Sequence, residues 1–446
     1  MTGVPDDLAN DVANDVSNTS LRHSPEVLVN AAGPEDVQDA VRLAVERSLP
    51  VAVQATGHGM AQSADGAVLI STRALTGVQI DPDARTARVE AGVRAGQLIA
   101  EAAKFGLAPL NGASPRVGMI GYTLGGGLGP LGRPFGYNAD HVRELSVVTA
   151  DGELRTASSD EHEDLAWASL GGKGNFGVVT SLELELVEVT RLYGGGLYFP
   201  GELAAEVLHT WREWTATVPD EMSSSVALVR MPPFETIPEP LRGRFVVHLR
   251  IAYVGSPADG ERLVAPLRAI GSTIIDSVAD MPYTNVASIH NDPTAPAPGR
   301  DRSGLLRTLD SSTVDVLLRF AGPDTENPLP VVELRHLGGA LARPPARPNA
   351  ISFREAAFSL FTVGVAPPPA VDDLRARQQA FIDALASWRL GGPFVSFMSL
   401  EDSPADVAAA YKPDIYQRLR EAKTAYDPDN LFRVNHNIPP LPRSVS

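Results

Sequence analysis

Gln54-Ala-Thr-Gly-His-Gly59 and, further along, Gly118-Met-Ile-Gly-Tyr-Thr-Leu-Gly-Gly-Gly-Leu-Gly129 are the stretches on which the fold of this chain turns. Glycine lets a backbone press against a ligand at positive φ and aim successive N–H groups at phosphate oxygens. The first stretch ends a β-branched run, Val51-Ala-Val, and sets a histidine in the turn. The pair points to a cofactor bearing a pyrophosphate, with His58 within reach of its reactive end. A plainer use of the same glycines is close packing in a turn.

Gly127-Leu-Gly-Pro-Leu-Gly132 matches the dinucleotide fingerprint G-x-G-x-x-G letter for letter. That fingerprint works only where a helix starts inside it, so that the pyrophosphate meets the helix N-terminus. Pro130 and the Arg133-Pro134 pair break the segment, which reads as a loop, and the match is accidental.

Composition narrows the function. A chain of 446 residues exceeds a single-core domain and has room for about two or three. A net charge of -16 argues against nucleic-acid or anionic-membrane partners, which need clustered Lys and Arg. The absence of cysteine excludes disulfides, thiolate catalysis and Cys-ligated metals, and no metal site is expected. No apolar stretch approaches about 20 residues, so no membrane span is expected. Met1-Thr-Gly-Val-Pro-Asp-Asp-Leu8 lacks a basic-then-apolar signal pattern, which makes a cytoplasmic enzyme the default expectation.

Residues 1–22 are polar and acidic without an apolar period, and are expected to be mobile. Val37, Ala40, Val41, Ala44 and Val45 recur at helical spacing and predict a helix over 34–49, leading into a buried strand at 49–54. A second helix is predicted over 93–105, a hairpin around Asp151-Gly152, and a long alternating strand over 178–189. Beyond about residue 190, 244–254 and 329–336 alternate as strands, while 260–270 and 371–388 read as helices. Asn291-Asp-Pro-Thr-Ala-Pro-Ala-Pro-Gly299 is a proline-rich loop placed to lie over a site entrance. The mixture of helices with hairpins predicts an α+β fold.

The two glycine stretches, with Pro34 to Ala44, Arg88-Val-Glu-Ala-Gly92, Gly112-Ala-Ser-Pro-Arg-Val-Gly118, Gly171-Gly-Lys-Gly-Asn-Phe-Gly-Val-Val-Thr180 and the block Tyr411 to Pro439, resemble the vanillyl-alcohol-oxidase superfamily. The berberine-bridge-enzyme-like branch is the most similar, and the resemblance covers most of the chain. It implies a two-part PCMH-type FAD-binding domain at 23–190 and 398–446, with an inserted antiparallel-sheet substrate domain covered by helices at 191–397.

It also implies site residues. His58 matches the histidine bonded covalently to the flavin C8 methyl group; the alternative is a histidine hydrogen-bonded in a turn. Ser114 stands where part of the branch has a second tethering cysteine, so one attachment through His58 is expected. Phosphate and ribityl contacts fall to Thr56, Gly57, Gly59 and Met60, with Gly118, Gly121, Tyr122, Thr123, Gly125 and Gly126. Asn175, Gly177 and Val179 match the adenosine side; the alternative is tight packing. Asn435 and Asn437 match amides at the polar edge of the isoalloxazine ring, or cap a loop.

The departures concern the reaction. Many relatives carry Tyr-x-Asn ahead of the C-terminal block, the tyrosine serving as base, and this chain has Phe394-Val-Ser396. A phenyl ring cannot take a proton. Phe394 and Ser396 are therefore expected to shape the substrate pocket, and Glu333, His336, Tyr122 and Tyr137 are the candidate replacements. For Glu333 with Arg335, a solvated salt bridge is the competing expectation. The resemblance implies an FAD-dependent oxidoreductase passing a hydride from a small, largely apolar molecule of specialised metabolism to flavin N5, with O₂ as a possible acceptor. The alternatives are a redox-neutral flavoprotein such as a cyclase, and a flavin-holding binding protein.

Overall fold

The computed structural model describes residues 14–366 and 369–443. Three sheets organise them. The smallest is parallel, with Val68–Ser71 between Val27–Asn30 and Val51–Gln54. Helix Pro34–Glu46 lays Val37, Ala40, Val41 and Ala44 of the expected repeat on it, while Val45 is exposed, and Pro34 suits its first turn. The strand Val51–Gln54 then delivers the Thr56–Gly59 turn to the rim of this layer.

The second sheet has five antiparallel strands, with Val178–Glu185 paired on both sides. Its hairpin joins Val142–Val148 to Leu154–Ser158 around the Asp151-Gly152 turn. Inside the glycine run, Met119–Leu124 forms a short helix that the density of glycines conceals. Thr123 donates its hydroxyl back to the Met119 carbonyl at 2.7 Å, which satisfies that buried group within the helix.

The third sheet has nine strands, and all its pairings are antiparallel. Helices Ala204–Thr215, Pro257–Arg268, Ser311–Ala321 and Ala370–Ala384 contribute Trp211, Val264, Leu317 and Phe381 to a core shared with Phe199, Leu249 and Leu334. Each large side chain buried there is worth roughly 1.5–3 kcal/mol. Covering one face fixes the register, because a one-residue slip would turn Leu334 out and Glu333 in. The other face consequently carries polar residues in two neighbouring rows. Gly196, Arg250, Ser225 and Arg335 align in one, and Tyr198, His248, Ala227 and Glu333 in the next.

After this sheet the chain returns to the first layers through helix Pro413–Tyr426. Fully buried Lys423 donates to the Asn175 and Phe432 carbonyls and to Asp427, tying the C-terminal block to the Gly171–Thr180 loop.

Residues 14–22, part of the stretch expected to be mobile, are instead held in place. Val16 is buried, Ser17 N–H donates to the Gly57 carbonyl at 3.0 Å, and Asn18 bridges to Ala297. Residues 1–13 of that stretch lie outside the described residues.

Candidate active site

His58 lies in the turn after its strand, in a cavity also lined by Thr56, Ser114, Arg94, Arg116 and the loop Pro293–Pro296. Its Nδ1 is 3.0 Å from the Ser17 hydroxyl. Burial lowers its pKa, with Arg116 and Arg94 acting in the same direction and Asp292 opposing them. The imidazole is therefore neutral near pH 7, the form in which a ring nitrogen is a nucleophile. His58 and Ser114, distant in sequence, share this one cavity.

The two glycine stretches meet where Gly118 N–H donates to Thr56 Oγ1 at 3.3 Å. Their glycines serve different ends. A side chain at Gly57 would meet the Asp15 carbonyl at 2.4 Å, and Gly57 has φ 64°, so this glycine admits the 14–18 segment. Side chains built at Gly59, Gly121 or Gly174 would meet nothing within 4 Å, so these three face open space. Gly125 and Gly126 pack against Ser396, with Lys173 and Ile351 beside them, and Thr123 is fully buried with its hydroxyl in use. Gly125 and Gly126 thus have close neighbours where Gly59, Gly121 and Gly174 have none. Gly177 packs on Val147 and Val148, and Val179 is a core residue. Met60 is half-buried beside the turn.

Asn175 spends its amide on protein groups, donating to the Gly172 and His436 carbonyls and accepting from Ile438 N–H. Asn435 donates to the Gly174 and Phe432 carbonyls. The Oδ1 atoms of Asn435 and Asn437 are buried without a partner among the described residues. Orphaned acceptors beside an open glycine loop fit a ligand carrying N–H groups, as the polar edge of an isoalloxazine does.

Lys173 sits in that loop at φ 59°, ψ -148°, backbone space suited to glycine. Its ammonium is 3.3 Å from His436 Nδ1, and burial lowers its pKa to about 8 against the pull of Asp402 and Asp301. Burial also raises Asp301 to about 6, reinforced by Asp402.

None of the four proposed bases is placed to accept a proton. Glu333 is no solvated ion pair: its side chain is 6% exposed, 2.5 Å from Arg250 Nη1 and 3.1 Å from Arg335 Nη2. Burial alone would raise its pKa, but Arg335 and Arg250 outweigh it and hold the carboxyl below its usual range. His336 Nε2 is 3.2 Å from Arg133 Nη1. A guanidinium only donates, so this nitrogen accepts and the histidine proton sits on Nδ1. Burial and Arg133 lower the His336 pKa to about 3. Tyr122 gives its hydroxyl to the Leu110 carbonyl at 3.0 Å, and burial raises its pKa well above 10. Tyr137 is 2% exposed under the Arg354 guanidinium, and burial raises it too.

Phe394 is also buried, at 1% exposure, between the rings of Tyr137 and Phe397. Ser396 donates to the Gly125 carbonyl at 2.7 Å. Both join the sheet domain to the glycine run through the core, and neither lines the cavity around His58.

Two groups escape a reading of the sequence. Arg250 looks like one more charge in an alternating strand, and only the register sets it beside Arg335. Asp292 is the one acid of the proline-rich loop. Its residue surface is largely exposed, yet its carboxyl lies within electrostatic reach of Arg250, Glu333, Arg335 and His58, and desolvation there raises its pKa. An acid within a loop expected over the entrance is the signal that could have found it. Beside these groups, Leu128, Ile289 and Leu341 form the apolar wall of a second cavity, which Arg250, Arg335 and His336 also line.

Comparison with known proteins shows which family the chain resembles. Residues 25–158 match the model described as FAD binding domain, and 400–439 match the one described as berberine and berberine like. (R)-6-hydroxynicotine oxidase of Paenarthrobacter nicotinovorans is 30% identical over 98% of this chain and 96% of its own length. An uncharacterized FAD-linked oxidoreductase, YgaK of Bacillus subtilis, is 27% identical over 96% and 94%. The crystal structure of 6-hydroxy-D-nicotine oxidase from Arthrobacter nicotinovorans superimposes with a TM-score of 0.83 at 26% identity, over 98% of this chain and 97% of that one.

Proposed function

The chain belongs to the berberine-bridge-enzyme-like branch of the FAD-linked oxidoreductases, and on that premise we propose that this FAD-dependent oxidase acts on a small molecule with an apolar body and one hydrogen-bond acceptor. The observation that carries this reading is the paired guanidiniums of Arg250 and Arg335 on the polar face of the sheet, beside a wall of Leu128, Ile289 and Leu341. The apolar wall supports the small, largely apolar substrate of specialised metabolism expected from the sequence. The oxidase named among the relatives supports electron transfer over a redox-neutral reaction.

Bound FAD supplies the hydride acceptor, with O₂ as the final oxidant. The chain supplies the rest. Gly59, Gly121 and Gly174 leave room for the cofactor, Asn435 and Asn437 offer acceptors to its polar edge, and His58 tethers it. Glu333 fixes both guanidiniums so that their free N–H groups face the substrate. Asp292, the acid of the proline-rich loop, takes the proton that leaves the substrate oxygen or nitrogen as the hydride departs.

Purified protein should be yellow with one FAD per chain, and the colour should bleach when substrate is added without oxygen. Product formed with no bleaching would refute oxidation. Acid precipitation should leave the flavin on the protein, and His58→Ala should release it.

A further inference from the structure

We infer that Lys173 supplies the positive charge that balances the negative charge of the reduced flavin ring, and so raises the cofactor's reduction potential; this rests on the FAD reading above. The residue is out of place by its backbone. It stands among Gly171, Gly172 and Gly174, and φ 59°, ψ -148° is a conformation that glycine adopts freely and a residue with a side chain rarely does. Such strain persists only where the surrounding structure holds it, and it marks a side chain with a task at that spot.

The side chain reaches both the glycine run and the C-terminal block. A side chain built at Gly125 would come to 3.6 Å from Lys173 Cε, and the ammonium ends 3.3 Å from Nδ1 of His436, the residue between Asn435 and Asn437. His436 Nε2 is 2.8 Å from the Ser399 carbonyl, which only accepts, so the ring proton sits on Nε2 and bare Nδ1 accepts from the ammonium.

Lys423 shows what a purely structural lysine looks like here, with its donors spent on Asp427 and two carbonyls. Lys173 has one neutral acceptor and, among the described residues, no ion pair. Asp402 and Asp301 act on it only from farther away, and Asp402 is itself paired with Arg302 at 3.0 Å. The remaining N–H groups are left for a ligand, where Gly174 opens onto free space and the Asn435 and Asn437 oxygens lack partners.

Those two oxygens suit ring N–H groups, and the ammonium suits the carbonyl and nitrogen acceptors of the same ring edge. A hydride brings one proton and two electrons to N5 of the neutral oxidised ring, which leaves one negative charge shared by N1 and the C2 carbonyl. A fixed cation at that edge favours the reduced state over the oxidised one and raises the potential.

The test uses flavin-loaded wild type, Lys173→Met, Lys173→Gly and Lys173→Arg, with sulfite as the probe, because sulfite adds to N5 and leaves the same charge on the ring. The two neutral variants should keep FAD and bind sulfite at least about tenfold more weakly, and their two-electron midpoint potential should fall by about 30 mV or more, the same tenfold factor. Lys173→Arg should restore most of both. Glycine accepts this backbone without strain, so Lys173→Gly reads the charge even if Lys173→Met unsettles the loop. Wild-type potential and sulfite affinity in both neutral variants would overturn the role of Lys173 and leave the FAD reading intact. Weaker FAD binding with an unchanged potential, the mark of a phosphate contact, would do the same. Wild-type protein that takes up no flavin would overturn both.

Discussion

Glu333 Oε1 lies 2.5 Å from Arg250 Nη1, and Glu333 Oε2 lies 3.1 Å from Arg335 Nη2, so one carboxylate bridges two guanidiniums in the sheet interior. With each oxygen bound to a guanidinium and the carboxyl held below its usual range, Glu333 is a weak base toward a substrate proton. Its work is to hold two cations at a fixed spacing.

Glu333→Gln should therefore act on stability before chemistry. Removing one partner of a buried ionic cluster leaves uncompensated charge and costs about 3–5 kcal/mol. Denaturant unfolding should show that loss. The folded pKa lies below the usual value, so the wild-type contribution is present above the ordinary carboxylate range and fades as pH falls through the folded value. A stable variant that had lost one limb of its pH–rate profile would restore Glu333 as the base.

Asp292→Asn should keep FAD and fold while lowering turnover about 10²–10⁴-fold, the usual scale for a lost general base. The wild-type rate should fall on acidification through a pKa above the ordinary carboxylate value, because burial raises this group and the base must be ionised. Steady-state rates from about pH 4 to about pH 8, chosen to bracket the ordinary carboxylate and histidine values, would decide it. An unchanged profile in the variant removes Asp292 from the chemistry.

Burial lowers His248, His290, His336 and His436, the last two to about 3. Between those values and the ordinary value of about 6.5, the unfolded chain binds protons that the folded chain refuses. Stability should then decline as pH drops below about 6.5, by up to about 1.4 kcal/mol per pH unit for each such histidine. His336→Gln should soften that decline and spare the pH dependence of turnover. Equal unfolding free energies at about pH 7 and about pH 5, on either side of that value, would contradict this account.

Phe394→Ala should open a core cavity and cost about 3–5 kcal/mol. Phe394→Tyr would bury a hydroxyl between Tyr137 and Phe397 at a cost of roughly 1–3 kcal/mol unless it found a partner. In both variants the stability loss should exceed any direct effect on substrate affinity. A raised KM with unchanged unfolding would place the ring on the substrate after all.

Local periodicity made much of the fold legible. Helix Pro34–Glu46, the hairpin around Asp151-Gly152 and strands Phe245–Tyr253 and Val331–His336 sit where apolar spacing put them, because each writes its buried face into consecutive residues. The glycine stretches and the C-terminal block pointed to the family and with it FAD, since a cofactor cradle needs bare backbone at fixed places. The short helix Met119–Leu124 escaped notice because six residues set among glycines are too few to write an apolar period.

By itself, then, the sequence determined the architecture, the cofactor and the absence of a tyrosine at 394. Tertiary structure alone decided what the polar residues do. Whether Glu333 is a base or a brace depends on Arg250, 83 residues away, brought alongside by strand register. Whether His336 can take a proton depends on Arg133, 203 residues away. A proton's affinity is set by charge and dielectric within a few ångströms, and distance along the chain carries no trace of either.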